Sequence, residues 1–185
     1  MTLTDFRTAA ASTLAGAALL FSLAACSTPA ASSSSSSPAP AGTTSAAADA
    51  ACTSGVKVIV NSGALKQTAT DVAGSCIPVD GPTLASKVLE QAKVTVAGTK
   101  AYPKDVACRV NGVPAADFDI THKGGTYRED CQKMPASFAY WSLWIKPASG
   151  AWGYAQEGLS TQKVTPGQSL ELLFVVDGAP AAPAA

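Results

Sequence analysis

Four isolated cysteines restrict the fold of this 185-residue chain more than any other feature. They are Cys52, Cys76, Cys108 and Cys131, and no two of them form a Cys-x-x-Cys pair. An even number of cysteines in an oxidising compartment predicts two disulfides. The alternative is metal binding, but metal sites need clustered ligands, and His122 is the sole histidine of the sequence.

Four cysteines allow three connectivities. We favour Cys52 with Cys76 and Cys108 with Cys131, because each pair brackets one turn-rich segment. In the chain-entropy model, closing a loop of this size stabilises a fold by about 3 kcal/mol. A domain with a modest core benefits from such cross-links.

Charged residues are concentrated in the second part of the chain. Asp5, Arg7 and Asp49 are the only charged residues among the first fifty. Between Cys52 and Gly178, twelve Lys and Arg are mixed with eleven Asp and Glu. A surface with neither sign in excess is a poor match for nucleic acid or anionic lipid. The composition therefore predicts one folded domain over residues 51–178 and argues against nucleic acid as a partner.

An uncharged apolar run over residues 9–25 follows the basic residue Arg7. It is typical of a signal-peptide core, and it is short and rich in Ala for a membrane-spanning helix, which needs about 17 to 25 apolar residues. The run ends in Leu23-Ala24-Ala25-Cys26, which resembles the lipobox of bacterial lipoproteins. This resemblance implies a signal peptide over residues 1–25 and a lipid such as palmitate on Cys26.

The resemblance also implies a location. The mature protein is expected to be extracytoplasmic and anchored by its lipid to the bacterial cell membrane. In the alternative, Cys26 is incidental and the protein is secreted in soluble form.

Two further segments have too few large apolar residues to build a core. Residues 26–50 combine the lipidated cysteine with a linker rich in Ser, Pro and Ala. As a flexible coil, this linker would span about 25 Å. Residues 179–185 form a second Ala- and Pro-rich segment. Both the linker and this C-terminal tail are predicted to be disordered.

The first half of the domain shows one strand pattern and one helix pattern. Valines alternate at Val56, Val58 and Val60, which predicts a half-buried strand that ends in a turn at residues 61–63. Residues 64–78 are predicted to form an irregular returning strand or a loop, after which Pro82 introduces the only convincing amphipathic helix of the domain. Its apolar face consists of Leu84, Ala85, Val88, Leu89 and Ala92.

The second half of the domain is predicted to consist of short strands. They are expected over residues 94–96 and 106–110, with Asn111-Gly112 as a turn, and residues 113–137 follow as a long polar excursion. An aromatic hairpin over residues 139–154 and a buried strand over residues 170–176 complete the order. Strands interrupted by a single helix predict the α+β class.

Several motifs of this region resemble those of a known family. They are Gly81-Pro82-Thr83-Leu84, Cys108-Arg109-Val110-Asn111-Gly112, Ala139-Tyr140-Trp141-Ser142-Leu143-Trp144, Trp152-Gly153-Tyr154 and Pro166-Gly167-Gln168-Ser169-Leu170. Together they are similar to the C-terminal β-domain of transcobalamin and intrinsic factor, in the ligand-binding β-grasp group.

The resemblance implies a β-grasp-like fold, in which one helix packs on a mostly antiparallel sheet with an added aromatic hairpin. It also implies a small soluble ligand, cobalamin-like or other. The helical domain that shares the corrinoid in the animal carriers has no counterpart in these 185 residues.

The aromatic residues suggest where a ligand would bind. All three tryptophans lie between residues 141 and 152. We predict that Tyr140, Trp144, Trp152 and Tyr154 form a stacking platform for a planar or sugar-like ligand or a protein partner. The alternative is that these rings are the core of a small sheet. Arg109 and Asn111 would add hydrogen bonds from a nearby strand end, although Asn-Gly is also a common turn.

No pattern in the sequence indicates catalysis. There is no Gly-x-Ser-x-Gly, no phosphate-binding loop and no free thiol once the disulfides form. We therefore predict neither an enzyme nor a cofactor nor a metal site. The expected function is small-ligand binding at the membrane, and the alternative is a structural, protein-binding or cell-wall-binding module of the envelope.

The lipobox resemblance predicts the behaviour of a Cys26→Ala variant. Without the acceptor thiol, the precursor should remain uncleaved and should not be labelled by a fatty-acid analogue in growing cells. Ser27→Ala is the control and should be cleaved and labelled normally. Normal labelling of the Cys26→Ala chain would rule out lipidation at this cysteine.

Overall fold

The structure is a computed structural model, and it describes residues 52–184. The predicted signal peptide and linker lie outside the described residues. Eleven strands and one helix follow one another in the described part of the chain. They are β1 Gly55–Asn61, β2 Val72–Pro78, β3 Thr83–Leu84, α1 Ala85–Gln91, β4 Val96–Gly98, β5 Ala107–Val110, β6 Ile120–His122, β7 Gly125–Tyr127, β8 Ala139–Lys146, β9 Gly153–Tyr154, β10 Lys163–Val164 and β11 Ser169–Val176.

Five of these strands form the main sheet, in the order β2-β1-β11-β8-β9. The central pair, β1 and β11, is parallel, and the other three pairs are antiparallel. The predicted α+β class, with one helix and a mostly antiparallel sheet, is confirmed within the described residues.

The alternating valines of β1 explain which face of the sheet carries the core. Val56, Val58 and Val60 are buried, whereas the residues between them are only half-buried. The buried valines pack with residues of α1 and with Trp141 of β8 in one apolar cluster. The helix therefore covers this core face. The opposite face is called the outer face below.

The helix is shorter than the sequence pattern predicts. Thr83 and Leu84 are extended because they pair with β10, so the helix begins at Ala85. Its buried side chains are Ala85, Val88 and Leu89, which belong to the predicted apolar face. Pro82 thus precedes a short strand and does not lie in the first helical turn.

The predicted turn at Asn111-Gly112 is confirmed. Both residues have positive φ, 51° and 81°, and the N–H groups of Val110 and Val113 each donate to the other residue's carbonyl at 2.9 Å. These features match the two-residue hairpin turn that Asn-Gly favours. The polar excursion that follows contains a small hairpin, β6 with β7, which the sequence analysis did not predict.

Both favoured disulfide pairings are confirmed. Cys52 is bonded to Cys76 and Cys108 to Cys131, with Cα atoms 5.5 and 5.6 Å apart. The first bond ties the start of the domain to β2. The second bond holds β5 against the end of the polar excursion.

The C-terminal tail has contacts at both of its ends. Val176 and Ala179 form a bridge directly after β11, and the indole N–H of Trp152 donates to the Ala184 carbonyl at 3.0 Å. Between these contacts, Pro183 is buried. The tail thus returns from the end of β11 to the aromatic hairpin. Its predicted disorder stays a prediction.

The second disulfide should contribute strongly to stability. Replacing Cys108 and Cys131 together by Ser should lower the free energy of unfolding by about 3 kcal/mol, because the reduced chain regains the entropy of a 23-residue loop. Urea denaturation monitored by tryptophan fluorescence measures the loss. Peptide mapping without reduction should recover the wild-type pairs 52–76 and 108–131, and any other pairing would contradict the assignment.

Candidate functional site

The aromatic hairpin consists of β8 and β9, and its side chains alternate between the two faces of the sheet. Trp141 lies on the core face, where its indole N–H donates to the Val113 carbonyl at 3.0 Å. Tyr140 and Trp144 lie on the outer face and pack with Leu173 and Val175 of β11. The strand thus has large apolar groups on both faces.

The structure brings the four predicted rings together on the outer face. The rings of Trp144 and Tyr154 are 4.3 Å apart between centroids, and the Tyr154 hydroxyl donates to the Tyr140 hydroxyl at 3.1 Å. Trp152 packs on the same cluster, and the Lys146 ammonium lies 5.8 Å from its ring. The clustering agrees with the proximity that the platform hypothesis requires.

Two of the four rings are held by contacts within the protein. Trp144 is only 7% exposed, and its indole N–H donates to the Ser142 hydroxyl, which in turn donates to the Leu173 carbonyl. Trp152 is fixed by its hydrogen bond to Ala184 in the tail. These two tryptophans therefore have packing partners, which is what the sheet-core alternative predicts.

The two tyrosines line a concave space. A cavity of about 310 Å³ lies at the edge of β8, and Tyr140 and Tyr154 form part of its wall. Its other lining groups include apolar side chains and two acidic ones; examples are Met134, Leu143, Leu159, Asp105 and Glu157. We call it the tyrosine cavity. Tyr154 is 45% exposed and accessible to a ligand.

Burial and the hydroxyl contact both act on the pKa of Tyr154. Burial raises the pKa of Tyr154 to about 12, and the hydrogen bond to Tyr140 acts in the same direction. The Tyr154 hydroxyl therefore stays neutral at physiological pH. The two tyrosines offer a ligand one hydrogen-bonding pair and two aromatic faces.

Arg109 and Asn111 bond to other parts of the protein. The Arg109 guanidinium donates to the Cys131 sulfur and, at 2.8 Å, to the Glu129 carbonyl. The Asn111 side chain accepts from the Thr95 N–H at 3.0 Å and donates to the Thr70 carbonyl at 2.9 Å. Neither residue lines the tyrosine cavity. Their hydrogen bonds brace the second disulfide and the Asn-Gly turn.

One group of potential metal ligands consists of Cys108, Glu129 and Cys131, whose ligand atoms lie within 4.8 Å of one another. Both sulfurs belong to the second disulfide. The Glu129 carboxylate accepts from the Tyr127 hydroxyl at 2.8 Å and from the Cys131 N–H at 2.7 Å. Burial, followed by the contact with Glu129, raises the pKa of Tyr127 to about 12. The hydrogen bonds of Glu129 thus hold the segment that carries Cys131 beside the second disulfide.

Sequence reasoning missed Glu171, which lies opposite Trp144 in the pairing of β11 with β8. Its side chain is 3% exposed, and its Oε1 has no hydrogen-bond partner. Burial raises the pKa of this carboxyl to about 7; the Asn61 side chain opposes the shift by hydrogen bonding, and the charge of Asp71 adds to it. The available signal was a lone acidic residue within an apolar strand sequence.

Comparisons with known proteins assign neither a family nor a function to this site. No protein-family model, no curated protein and no solved structure matches the chain. Among the described residues, no helix has both the length and the apolarity needed to cross a bilayer. The candidate site therefore has to be interpreted from its own residues.

Glu171 should make stability depend on pH. Between pH 4.5, its ordinary pKa, and about 7, the unfolded chain loses this proton while the folded chain keeps it, so the free energy of unfolding falls as pH rises. Glu171→Gln removes this contribution. The variant should match the wild type near pH 4.5 and exceed it by roughly 2–3 kcal/mol at pH 8.

Urea titrations at a series of pH values measure this difference between variant and wild type. Glu157→Gln, at an exposed carboxyl, is the control and should differ from the wild type by a constant amount. A constant difference for Glu171→Gln as well would contradict the raised pKa.

Proposed function

We propose that this protein is a lipid-anchored extracytoplasmic lipoprotein whose folded domain binds a small soluble ligand. The observation that carries the proposal is the tyrosine cavity, because its volume of about 310 Å³ lies within the range of small-molecule sites, roughly 300–1,000 Å³. Two of the four predicted rings, Tyr140 and Tyr154, line it. The lipid on Cys26 would keep the domain at the membrane surface.

The topology supports a β-grasp-like arrangement as the finer description of the fold. The first and last strands, β1 and β11, lie side by side and parallel in the centre of the sheet, and α1 packs across one face. This arrangement is compatible with the resemblance to the transcobalamin and intrinsic-factor β-domain. The compatibility supports a ligand-binding role as part of the proposal.

The lining of the tyrosine cavity suggests how a ligand would be held. The tyrosine rings offer faces for a planar group or the apolar face of a sugar, and Asp105 and Glu157 accept hydrogen bonds from hydroxyl or amide groups. A corrinoid is much larger than this space, so only its edge would enter. We propose no catalytic role and no bound cofactor for these residues.

One observation favours the second candidate function, a protein- or cell-wall-binding module. β9 pairs only with Trp144 and Ile145, so within residues 52–184 no strand pairs with the stretch of β8 from Tyr140 to Ser142 on that edge of the sheet. An extended segment of a partner can add to such an edge. The edge borders the tyrosine cavity, and the two functions would therefore use the same region.

The four rings should separate into two classes when each is replaced by Ala. Tyr140→Ala and Tyr154→Ala should weaken ligand binding about tenfold with little change in Tm, because partly exposed rings contribute little to folding. Trp144→Ala should destabilise the fold by about 3–5 kcal/mol, because its ring is buried. Trp152→Ala should release the tail from the hairpin. Binding to corrinoids, haem and cell-wall glycans is measured alongside melting.

Tyr102→Ala is the matched control, because this ring is 46% exposed and lines neither the tyrosine cavity nor the outer-face cluster. It should change neither binding nor melting. If the wild type binds nothing on the panel and all four ring variants unfold, the rings are structural and the small-ligand proposal is wrong. Binding to glycans or to an envelope protein alone would favour the second candidate.

A further inference from the structure

A second and larger cavity adjoins the tyrosine cavity, and none of the four predicted rings lines it. Its volume is about 460 Å³, and it opens between the end of α1, β4 and the loop that follows β4. The interior is mainly apolar and includes Leu89, Val94, Val96 and Leu159. We call it the helix-end cavity. Cavities of this size and character hold small molecules in many proteins.

The helix-end cavity has an excess of positive charge. Lys93 and Lys104 both line it, and neither forms an ion pair in the described part of the chain. The acidic residue of the lining, Glu90, is paired with Lys87 at 2.9 Å. An anion at the cavity would therefore lie close to two exposed lysines that form no ion pair within the described residues, next to an apolar wall.

The backbone at Lys93 is left-handed at the end of α1. Its φ is 60°, and its N–H donates to the Glu90 carbonyl while the Val94 N–H donates to the Leu89 carbonyl. This is the helix-ending motif in which glycine is the usual residue at the left-handed position. A lysine at this position keeps a backbone conformation that is less favourable for it than for glycine.

Helix termination alone does not explain both lysines. A cation at Lys93 also complements the partial negative charge of the helix C-terminus. Lys104 belongs to the loop after β4, where no helix ends, and it faces the same cavity. The two lysines thus come from separate segments and share only the cavity.

We propose that the helix-end cavity binds a small anionic molecule with an apolar body, such as an aromatic or aliphatic carboxylate. The apolar body packs against Leu89, Val94 and Leu159, and the carboxylate accepts hydrogen bonds from Lys93 and Lys104. This site is separate from the tyrosine cavity. Leu159 and Val106 line both cavities and form the wall between them.

The test uses 2-naphthoate as the probe and 2-naphthamide as its neutral counterpart of nearly the same shape. The full chain is placed in lipid nanodiscs with isotope-labelled Leu and Val methyl groups, and each compound is titrated by NMR. Naphthoate should shift the methyl signals of Leu89, Val94 and Leu159. The amide should bind at least about threefold more weakly, because it lacks the charge that the lysines recognise.

Lys93→Gly separates binding from stability. Glycine suits the left-handed backbone, so Tm should stay the same or rise, while the Kd for naphthoate rises about threefold to tenfold. Lys66→Gly is the matched control, because Lys66 also has a left-handed backbone, with φ 55°, and does not line the cavity. It removes the same charge and relieves the same conformation, and it should leave the Kd unchanged.

Lys104→Gln is the second variant, and it should also raise the Kd for naphthoate without changing the backbone at the helix end. Equal binding of acid and amide, or equal losses for Lys93→Gly and Lys66→Gly, would overturn the proposal. Shifts confined to Leu143 and Leu172 would place the probe in the tyrosine cavity, overturning this inference while leaving the proposed function in place.

Discussion

Strand β11 lies in the centre of the sheet and is buried on both faces, and the rest of the domain is arranged to cover it. Seven of its eight residues, from Leu170 to Val176, are buried. Burial of each large apolar side chain stabilises the fold by about 1.5–3 kcal/mol. This burial requires cover on both sides of the sheet. The helix covers the core face, and the aromatic hairpin contributes to the packing on the outer face.

The need to cover β11 also explains why some aromatic residues are packing groups as well as candidate binding groups. On the outer face, Trp144 packs on Leu173 and Val175, so one of the candidate binding rings is also part of the cover. Glu171 is enclosed on the same face, and its carboxyl is held in a setting that favours the neutral form. Tyr140 and Tyr154 lie toward the sheet edge, where cover is incomplete and Tyr154 is 45% exposed.

Both cavities arise where irregular segments meet the regular elements. Asp105 and Ser160 are hydrogen-bonded through their side chains, and the Leu159 N–H donates to the Asp105 carbonyl. These bonds join the loop after β4 to the segment before β10, and Val106 and Leu159 between them separate the two cavities. The path of such loops is set by their own hydrogen bonds. They therefore leave space of the kind that side chains fill where sheets and helices pack against each other.

Local patterns of the sequence determined much of the domain. The alternating valines of β1, the apolar face of α1, the Asn-Gly turn and the apolar run of β11 each depend on neighbouring residues, and their secondary structure could be predicted. The disulfide pairing could also be inferred, because each pair of cysteines brackets one turn-rich segment. Only the tertiary structure decided that Thr83 and Leu84 leave the helix to pair with β10, which lies about eighty residues away in sequence.

Tertiary packing also decided which of the predicted residues form the candidate site. The sequence identified a cluster of rings, but burial depends on what packs against them, and this separates Trp144 from Tyr154. Asn111 belongs to the turn and Arg109 lies two residues before it, yet their partners are Glu129, Thr95 and Thr70. Periodicity reports the face on which a side chain lies. Which distant segment meets that face is set by long-range packing, and the cavities, the enclosed Glu171 and the position of the two lysines all follow from it.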